Sequence, residues 1–521
     1  MTLLLFSLSL AVMILLPLVL AIVWRRRFDT PWGLFCLGVF TFWGAQAVHL
    51  PVNNLLERWG ILPANAIPTG TALVRTVLLL GLSAGLFETA ARAVGYAFLF
   101  RRGAGRQWAD GVMVGLGHGG VEAMGFVAVL SASSFSSLWA LRGSDLSALS
   151  LPASQAALVA EQLHVMQQTP WLLLLPALER VIAIILHVVL SLLVWTAFKQ
   201  RNARYALLAL LYHALFDAAA VYVTQSGGSP WAVWGTMLAL SVPGLAWLWR
   251  TWPRGTAAPP RPSPRAEWTL FGAAVGKELR EQWRTRRVLI VAAVFLFFGL
   301  GSPLIARFTP EILRSVAGAE QFADLIPQPT TADALGQYIK NLTQFGFIIA
   351  LLLGMGAVAG EKERGIAPMI LSKPLPRWAF VLSKFTAQAL VYLAAFLLAG
   401  LATAYYTSLL FAPLAFGPFM LGNLLLLVWL LVFAAATLLG STVANSTGAA
   451  AGLGLVLSVG LLVLGSLPVV GPFMPSGLVA WAAQLGLPGT VTPNGGALVA
   501  GLDLIILFLL FAVASFETQE L

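Results

Sequence analysis

The sequence predicts an all-α polytopic membrane protein, with about thirteen transmembrane helices arranged in two helical bundles. Three observations support this fold class. Hydrophobic residues occupy 59% of the 521 positions and charged residues only 10%, whereas soluble domains contain about 25% charged residues. Apolar runs of roughly 18 residues or more recur along the chain, and each is long enough to cross the hydrocarbon core. These runs lack the alternation of barrel strands, so helices are the structure that satisfies their backbone hydrogen bonds.

Basic residues beside the apolar runs predict the topology. Arg25–Arg27, Arg101 and Lys199 each follow a run, which is the distribution that the positive-inside rule describes. The net charge of +10 is therefore assigned to membrane orientation, and no nucleic-acid partner is expected. We expect a protein of the plasma or inner membrane, partnered by the lipid bilayer, with its N-terminus outside and its C-terminus in the cytoplasm.

The order of the runs predicts two domains and a linker. Residues 1–250 contain about seven spans, namely Leu3–Trp24, Leu34–Val52, Ala72–Phe100, Trp108–Ser131, Trp171–Phe198, Tyr205–Val223 and Trp231–Trp249. Residues 251–266 are rich in proline and arginine, which favours an extended cytoplasmic linker. Residues 267–521 begin with an amphipathic basic helix, Glu267–Arg287, on the inner membrane face. About six spans follow it, namely Val288–Ile305, Phe345–Ala359, Phe380–Leu410, Leu421–Leu439, Gly448–Leu467 and Ala497–Ala514.

Polar pairs in the middle of three spans identify a candidate site in residues 1–250. The pairs are Glu88 with Arg92, His118 with Glu122, and His213 with Asp217. Each pair has an i,i+4 spacing, which puts both side chains on one face of a helix. All three lie near mid-membrane, and His187 of the fifth span lies at a similar depth. Ionisable groups are expensive in a bilayer, so we expect these residues to converge on one functional site.

Two chemistries fit these residue types. His118, Glu122, His213 and Asp217 could hold a divalent metal such as zinc, which would activate water. Alternatively, Glu88 acts as a general base beside Arg92 while histidines stabilise an oxyanion. The sequence has no HEXXH motif, so ordinary zincin chemistry is not supported.

The first half resembles the YhfC family of intramembrane proteases, relatives of the CAAX-processing and PrsW-type proteases. The resemblance covers about residues 1–250 and rests on Phe87–Arg92, on the segment GHGGVE at Gly117–Glu122, and on His213 with Asp217. It implies a membrane-embedded peptide substrate. Thr89 stands where the family usually has a second glutamate, so the alternative is a catalytically inactive scaffold or peptide-binding module.

The second half resembles the permeases of type-2 ABC exporters of the NosY-like group. The resemblance rests on GEKERG at Gly360–Gly365, on LSKPLPRW at Leu371–Trp378, and on the basic segment that precedes the first span. It implies that Glu361, Glu363 and Arg364 contact an ABC ATPase subunit, and that the permease domain dimerises. The sequence contains no GxxxxGK[ST] motif, so ATP is expected to act only through that partner.

These observations predict the permease of an ABC export system fused to an intramembrane protease domain. The protease would be of the glutamic or metallo type. The transported substrate and the cleaved peptide do not follow from the sequence.

Overall fold

The computed structural model describes residues 1–63, 68–146, 153–253, 263–315 and 327–520. Within these ranges the chain is helical and contains no strand. Thirteen helices of the described residues are long and apolar enough to cross a membrane. The predicted all-α polytopic fold and its number of spans are therefore confirmed. Most of the predicted linker, residues 254–262, lies outside the described residues.

The chain divides into two compact units. The first comprises Met1–Ala128 and Gly143–Pro260, and the second comprises Val129–Arg142 and Arg261–Leu521. The helices of the N-terminal part are α1 (Thr2–Phe28), α2 (Trp32–Arg58), α3 (Gly70–Arg101), α4 (Trp108–Val121), a π-helical turn (Glu122–Val127), α5 (Ala128–Leu141), α6 (Ala153–Gln168), a 3₁₀ turn (Pro170–Leu174), α7 (Leu175–Gln200), α8 (Arg204–Gln225) and α9 (Pro230–Thr251).

The C-terminal part begins with α10 (Pro264–Arg284), which is amphipathic as predicted. The following helices are α11 (Arg287–Ser315), α12 (Thr331–Met355), α13 (Ala359–Glu363), α14 (Ile366–Leu371), α15 (Arg377–Leu410), α16 (Phe416–Val443), α17 (Thr447–Gly465), α18 (Ser476–Ala482) and α19 (Gly495–Glu517). The core of this unit surrounds α16, which packs against α19, α17 and α12. A buried hydrogen bond of 2.7 Å from Tyr338 Oη to Asn423 Oδ1 joins α12 to α16.

Three predicted spans are clearly shorter than the helices observed. The span predicted to end at Ile305 continues to Ser315 in α11. The fourth helical span continues from Trp108 to Leu141, whereas the sequence pattern predicted its end at Ser131. The serines in the extension fit a helix because their hydroxyls donate to backbone carbonyls one turn earlier, as Ser136 does to Ala132 at 2.7 Å. The second span after the linker begins at Thr331 rather than near Phe345, because Thr330 and Asp333 form a capping box at that point.

Glycines bring α4 against two neighbouring helices. A Cβ on Gly117 would overlap the backbone of Phe35 in α2, and one on Gly119 would lie 2.8 Å from the Cβ of His187 in α7. Only glycine permits this separation of the helix backbones. The glycines around His118 therefore serve close helix packing, and this packing draws His118 and His187 towards each other.

Candidate functional site

The carboxylate of Glu88 lies at the centre of the polar residues in the first unit. Its Oε2 atom lies 3.0 Å from Nε2 of His118 and 3.3 Å from Nη2 of Arg92. His118 and Arg92 are 0% exposed and Glu88 is 5% exposed. Because α3 carries Glu88 and Arg92 at an i,i+4 spacing, one face of α3 supplies both groups to the centre.

Histidines of two further helices face the same oxygen. Oε2 of Glu88 lies 3.8 Å from Nε2 of His213 in α8 and 3.9 Å from Nδ1 of His187 in α7. The rings of His118 and His187 are 5.2 Å apart, and those of His187 and His213 are 5.5 Å apart. Side chains of α3, α4, α7 and α8 therefore converge on one buried cluster. We call it the Glu88 cluster, and these members are Glu88, Arg92, His118, His187 and His213.

Glu122 joins the cluster from the first residue of the π-helical turn. Such turns are frequent at functional sites because they shift the side chains that follow from their α-helical positions. Oε2 of Glu122 is in close contact with Nε2 of His187. Oε1 of Glu122 accepts a hydrogen bond of 2.7 Å from Nη1 of Arg180. Glu122 thus connects α4 to α7 rather than to its sequence neighbour His118.

Asp217 lies at the edge of the site. Its Oδ2 atom is 3.3 Å from Nε2 of His213, while its side chain is 36% exposed. The i,i+4 pair on α8 is therefore formed, with its histidine directed inward and its carboxylate near the surface of the helix bundle.

Four contributing residues were not identified from the sequence. Gln46 Nε2 donates a hydrogen bond of 3.2 Å to Glu88 Oε1, and Thr41 Oγ1 lies 2.9 Å from His118 Nδ1. His49 contributes through its Nδ1, which lies 3.3 Å from Oε1 of Gln46. Arg180 contributes through its hydrogen bond to Glu122 Oε1. The available signal was the spacing of Gln46 and His49 on one face of α2, and the presence of an arginine inside an apolar run.

The group best arranged to hold a metal ion differs from the predicted set. Glu88, His187 and His213 each offer one ligand atom, and these atoms all lie within 4.8 Å of one another. Of the four residues predicted as metal ligands, only His213 belongs to this group. Two imidazoles and one carboxylate form a donor set that zinc uses in catalytic sites, where a fourth position is open to substrate or water.

Arg92 is the one neighbour that competes with a cation. Its Nη2 atom lies 2.6 Å from Nδ1 of His187, so a metal ion on His187 and Glu88 requires the guanidinium to move. Nε and Nη1 of Arg92 have no hydrogen-bond partner among the described residues. Only one of its three nitrogens is therefore held by a hydrogen bond among the described residues, and the two imidazoles and one carboxylate are a donor set that fits a divalent metal.

In the second unit, Glu361 of the predicted coupling segment is buried in an ion cluster. It is 4% exposed, and its Oε1 lies 2.8 Å from Nζ of Lys384 and 3.0 Å from Nζ of Lys277. Lys384 is also 3.0 Å from Glu278 Oε1, and Lys277 is 3.0 Å from Glu281 Oε2. This ion cluster ties α10, α13 and α15 together.

The next residues of this segment bind other helices. Lys362 Nζ donates a hydrogen bond of 2.8 Å to the carbonyl oxygen of Thr442 at the end of α16. Glu363 Oε2 accepts from the backbone N and the hydroxyl of Thr447, at 3.0 and 2.8 Å, at the start of α17. Arg364 is exposed, as is Met369 of α14 at 64%. Glu361, Lys362 and Glu363 thus fix the segment to neighbouring helices. Arg364 and Met369 remain exposed on its surface.

Comparison with known proteins assigns both halves. The protein family described as "YhfC intramembrane metalloprotease" matches residues 12–234. The family described as "ABC-2 family transporter protein" matches residues 273–521. An uncharacterized membrane protein YhfC of Bacillus subtilis is 30% identical over 226 residues, which are 41% of this chain and 82% of that protein. An uncharacterized transmembrane protein YxlG of the same organism is 25% identical over 252 residues, which are 48% of this chain and 97% of that protein.

These matches confirm the resemblances found in both halves of the sequence. The ABC-2 match supports a multi-pass membrane transporter component that associates with an ABC ATPase. The chain belongs to the YhfC intramembrane metalloprotease family through residues 12–234, and its residues 273–521 match the ABC-2 family of transporter proteins.

Proposed function

We propose that the first unit is a metal-dependent intramembrane endopeptidase and that the second is the permease of an ABC export system. The observation that supports the peptidase is the Glu88 cluster, in which six ionisable groups, Glu122 included, lie together inside an apolar bundle. Burying such groups is costly, so a structural role alone is a weak explanation for their convergence. A divalent metal, with zinc as the first candidate, would be held by Glu88, His187 and His213.

Such a metal would act as a Lewis acid towards a peptide carbonyl and would lower the pKa of the water molecule bound to it. The protein side chains orient the ligands. Glu122 accepts a hydrogen bond from Nε2–H of His187. This contact leaves Nδ1 of that ring unprotonated on the side of Glu88. Carboxylate partners of this kind fix the tautomer of a ligating histidine. Arg180 in turn holds Glu122 through the hydrogen bond of 2.7 Å.

His118 and Arg92 are the donors for charge that develops during cleavage. Nε2 of His118 lies 3.0 Å from Glu88 Oε2, and its Nδ1 lies 2.9 Å from Thr41 Oγ1, whose hydroxyl donates to Gly38 O. Arg92 is a fixed positive charge in the same site. Donors placed in a water-poor site stabilise a developing oxyanion strongly.

Thr89 does not favour the inactive alternative. Its hydroxyl is buried and has no hydrogen-bond partner among the described residues. The site nevertheless contains a second glutamate, because Glu122 reaches it from α4. We assign to Glu122 the carboxylate function that the family's second glutamate would supply.

The peptidase proposal is tested by comparing the protein N-termini in membranes that contain the wild type, Glu88→Gln or His118→Ala. We expect a set of new N-termini, arising within or beside membrane spans, that both variants lack. The matched control is His164→Ala, because His164 is exposed on α6 and lies outside the cluster. Identical N-termini in all four membranes, with equal protein levels, would contradict the proposal.

For the permease we propose that the ATPase contacts the exposed face formed by Arg364 and Met369, while Glu361 and Glu363 hold that face in position. Burial of Glu361 and the capping of α17 by Glu363 support this division. Met369→Asp should therefore abolish co-purification of the ATPase while the permease remains folded. Unchanged co-purification of this variant would contradict the assignment. Dimerisation through the permease remains part of the proposal.

The proposed orientation has the N-terminus outside and the C-terminus in the cytoplasm. The arginine cluster at the end of α1 supports it, because the positive-inside rule assigns that end to the cytoplasm. Reporter fusions at Gly255 and at the C-terminus should both report a cytoplasmic location. An external signal from either fusion would overturn this orientation.

A further inference from the structure

We propose that Gln46, His49 and Asn53 form a polar path along α2 that admits water to Glu88 from the membrane surface at the Arg58 end of this helix. The path concerns access to the Glu88 cluster and so builds on the proposed peptidase. Hydrolysis of a peptide bond inside a membrane consumes one water molecule and moves protons. A site buried among apolar helices therefore needs a connection to an aqueous phase.

The path is a continuous series of hydrogen-bonding contacts. Asn53 Nδ2 lies 3.0 Å from His49 Nε2, and His49 Nδ1 lies 3.3 Å from Gln46 Oε1. Gln46 Nε2 then donates a hydrogen bond of 3.2 Å to Glu88 Oε1. Ser83 of α3 reaches the same series, with its hydroxyl 3.1 Å from His49 Nε2. Each side chain of the series therefore lies within hydrogen-bonding distance of the next one.

The contacts share one direction. Asn53 can only donate through Nδ2, so His49 accepts at Nε2 and carries its proton on Nδ1. Nδ1–H then donates to the carbonyl of Gln46, whose amide donates to Glu88. Each of these three donors therefore points towards the carboxylate of Glu88.

One end of α2 is closed and the other is open. Towards the start of the helix the residues around the site are apolar and tightly packed, with Phe35 at 0% and Phe42 at 1% exposed. Towards its end, Asn53 is only half-buried. Arg58 follows Asn53 by five residues, or about 7.5 Å along the helix axis.

The surroundings of Asn53 indicate hydration. Its Oδ1 atom is shielded yet has no hydrogen-bond partner among the described residues. Buried polar atoms of this kind are commonly satisfied by internal water. By contrast, Leu50 on the same helix is apolar and 43% exposed in the structure. An apolar side chain exposed on a membrane helix is expected to contact lipid rather than water.

Cysteine labelling in native membranes tests the path without any need for cleavage. In a Cys36→Ala background, Asn53→Cys and Leu50→Cys are treated with a charged, membrane-impermeant methanethiosulfonate. The cysteine thiolate attacks the reagent and displaces methanesulfinate. Because the thiolate forms only in contact with water, we expect Asn53→Cys to react at least about tenfold faster. The reagent should act from the outer side. Ser83→Cys compared with Leu82→Cys, which is 44% exposed, repeats the comparison on α3.

Equal or slower labelling of Asn53→Cys and Ser83→Cys relative to their leucine controls would overturn the path. Because labelling does not depend on catalysis, a protein that never cleaves a peptide would still show the path if it exists. Conversely, a peptidase that depends on Glu88 but shows no labelling would retain the proposed function and lose this inference.

Discussion

Nε2 of His118 lies 3.0 Å from Oε2 of Glu88, although the two residues are separated by 30 positions and belong to different helices. Both side chains are buried in an apolar bundle. A buried carboxylate is stable only with compensating donors or charges, and here His118, Arg92 and Gln46 supply them. This contact is the link between the GHGG segment of α4 and the glutamate of α3, and the remaining histidines are arranged around it.

The close packing of α4 predicts different effects for two glycine substitutions. Gly117→Ala should destabilise the protein, because its Cβ would overlap the backbone of Phe35, and overpacking typically costs about 1–3 kcal/mol. Gly44→Ala is the matched control, since no atom lies within 4 Å of a Cβ there and alanine is the better helix former by about 1 kcal/mol. Thermal unfolding in detergent measures both, and equal midpoints would contradict the packing described.

Arg180 and Glu179 offer a matched pair of neighbours. Arg180→Ala should weaken the peptidase severalfold, because Glu122 loses the donor that holds it against His187. Glu179→Ala should leave the peptidase activity near the wild-type level, since Glu179 does not contact the Glu88 cluster among the described residues. Loss of metal affinity by about 10–100-fold is the usual effect of removing a residue that orients a ligand. Isothermal titration with zinc separates the two variants, and similar affinities would contradict the role of Arg180.

Lys384 should be essential for the ion cluster that holds the coupling segment. Lys384→Met leaves Glu361 and Glu278 with Lys277 alone, and removing one partner of a buried ion pair costs about 3–5 kcal/mol. Lys373→Met is the control, because Lys373 is exposed. We expect only Lys384→Met to lower the unfolding midpoint and to reduce ATPase co-purification. A variant with Glu361→Gln added should recover part of the loss.

The pH dependence of α10 follows from its charge pairs. Burial disfavours the charge of Lys277, but Glu278 and Glu361 raise its pKa above the ordinary value. Burial likewise opposes the charge of Glu281, while Lys277 lowers the pKa of that carboxylate. The stabilisation from Lys277 is thus present below its unfolded pKa, about 10.4, and is lost at higher pH. That from Glu281 is present above about pH 4.3 and is lost on acidification.

Hydrogen exchange of α10 measures this dependence. After correction for the intrinsic rate, protection of residues 264–284 should be constant between about pH 5 and 9, the window left by the two unfolded pKa values. It should fall in acid below that window. A steady change in protection across neutral pH would contradict the assigned charge pairs.

The fold and the core of the site follow from the sequence because both depend on periodic patterns. Long apolar runs mark the spans, and the i,i+4 pairs mark the polar faces of α3, α4 and α8. The residues that were missed have no such pattern. Arg180 is one position from Glu179, and only the rotation of α7 decides which of them meets Glu122. Similarly, the sequence shows that Glu361 is charged, but only the packing of α10 and α15 shows that it is buried.

The metal content of the purified protein tests the central claim most directly. The wild type, Glu88→Gln, His213→Ala and the control His164→Ala are each purified without chelator, loaded with zinc, freed of excess metal and measured by mass spectrometry. We predict about one zinc per chain in the wild type and in His164→Ala, as expected for a site with three protein ligands, and little in the two cluster variants. Absence of metal from the wild type, or equal metal in all four proteins, would contradict a metal site formed by Glu88, His187 and His213.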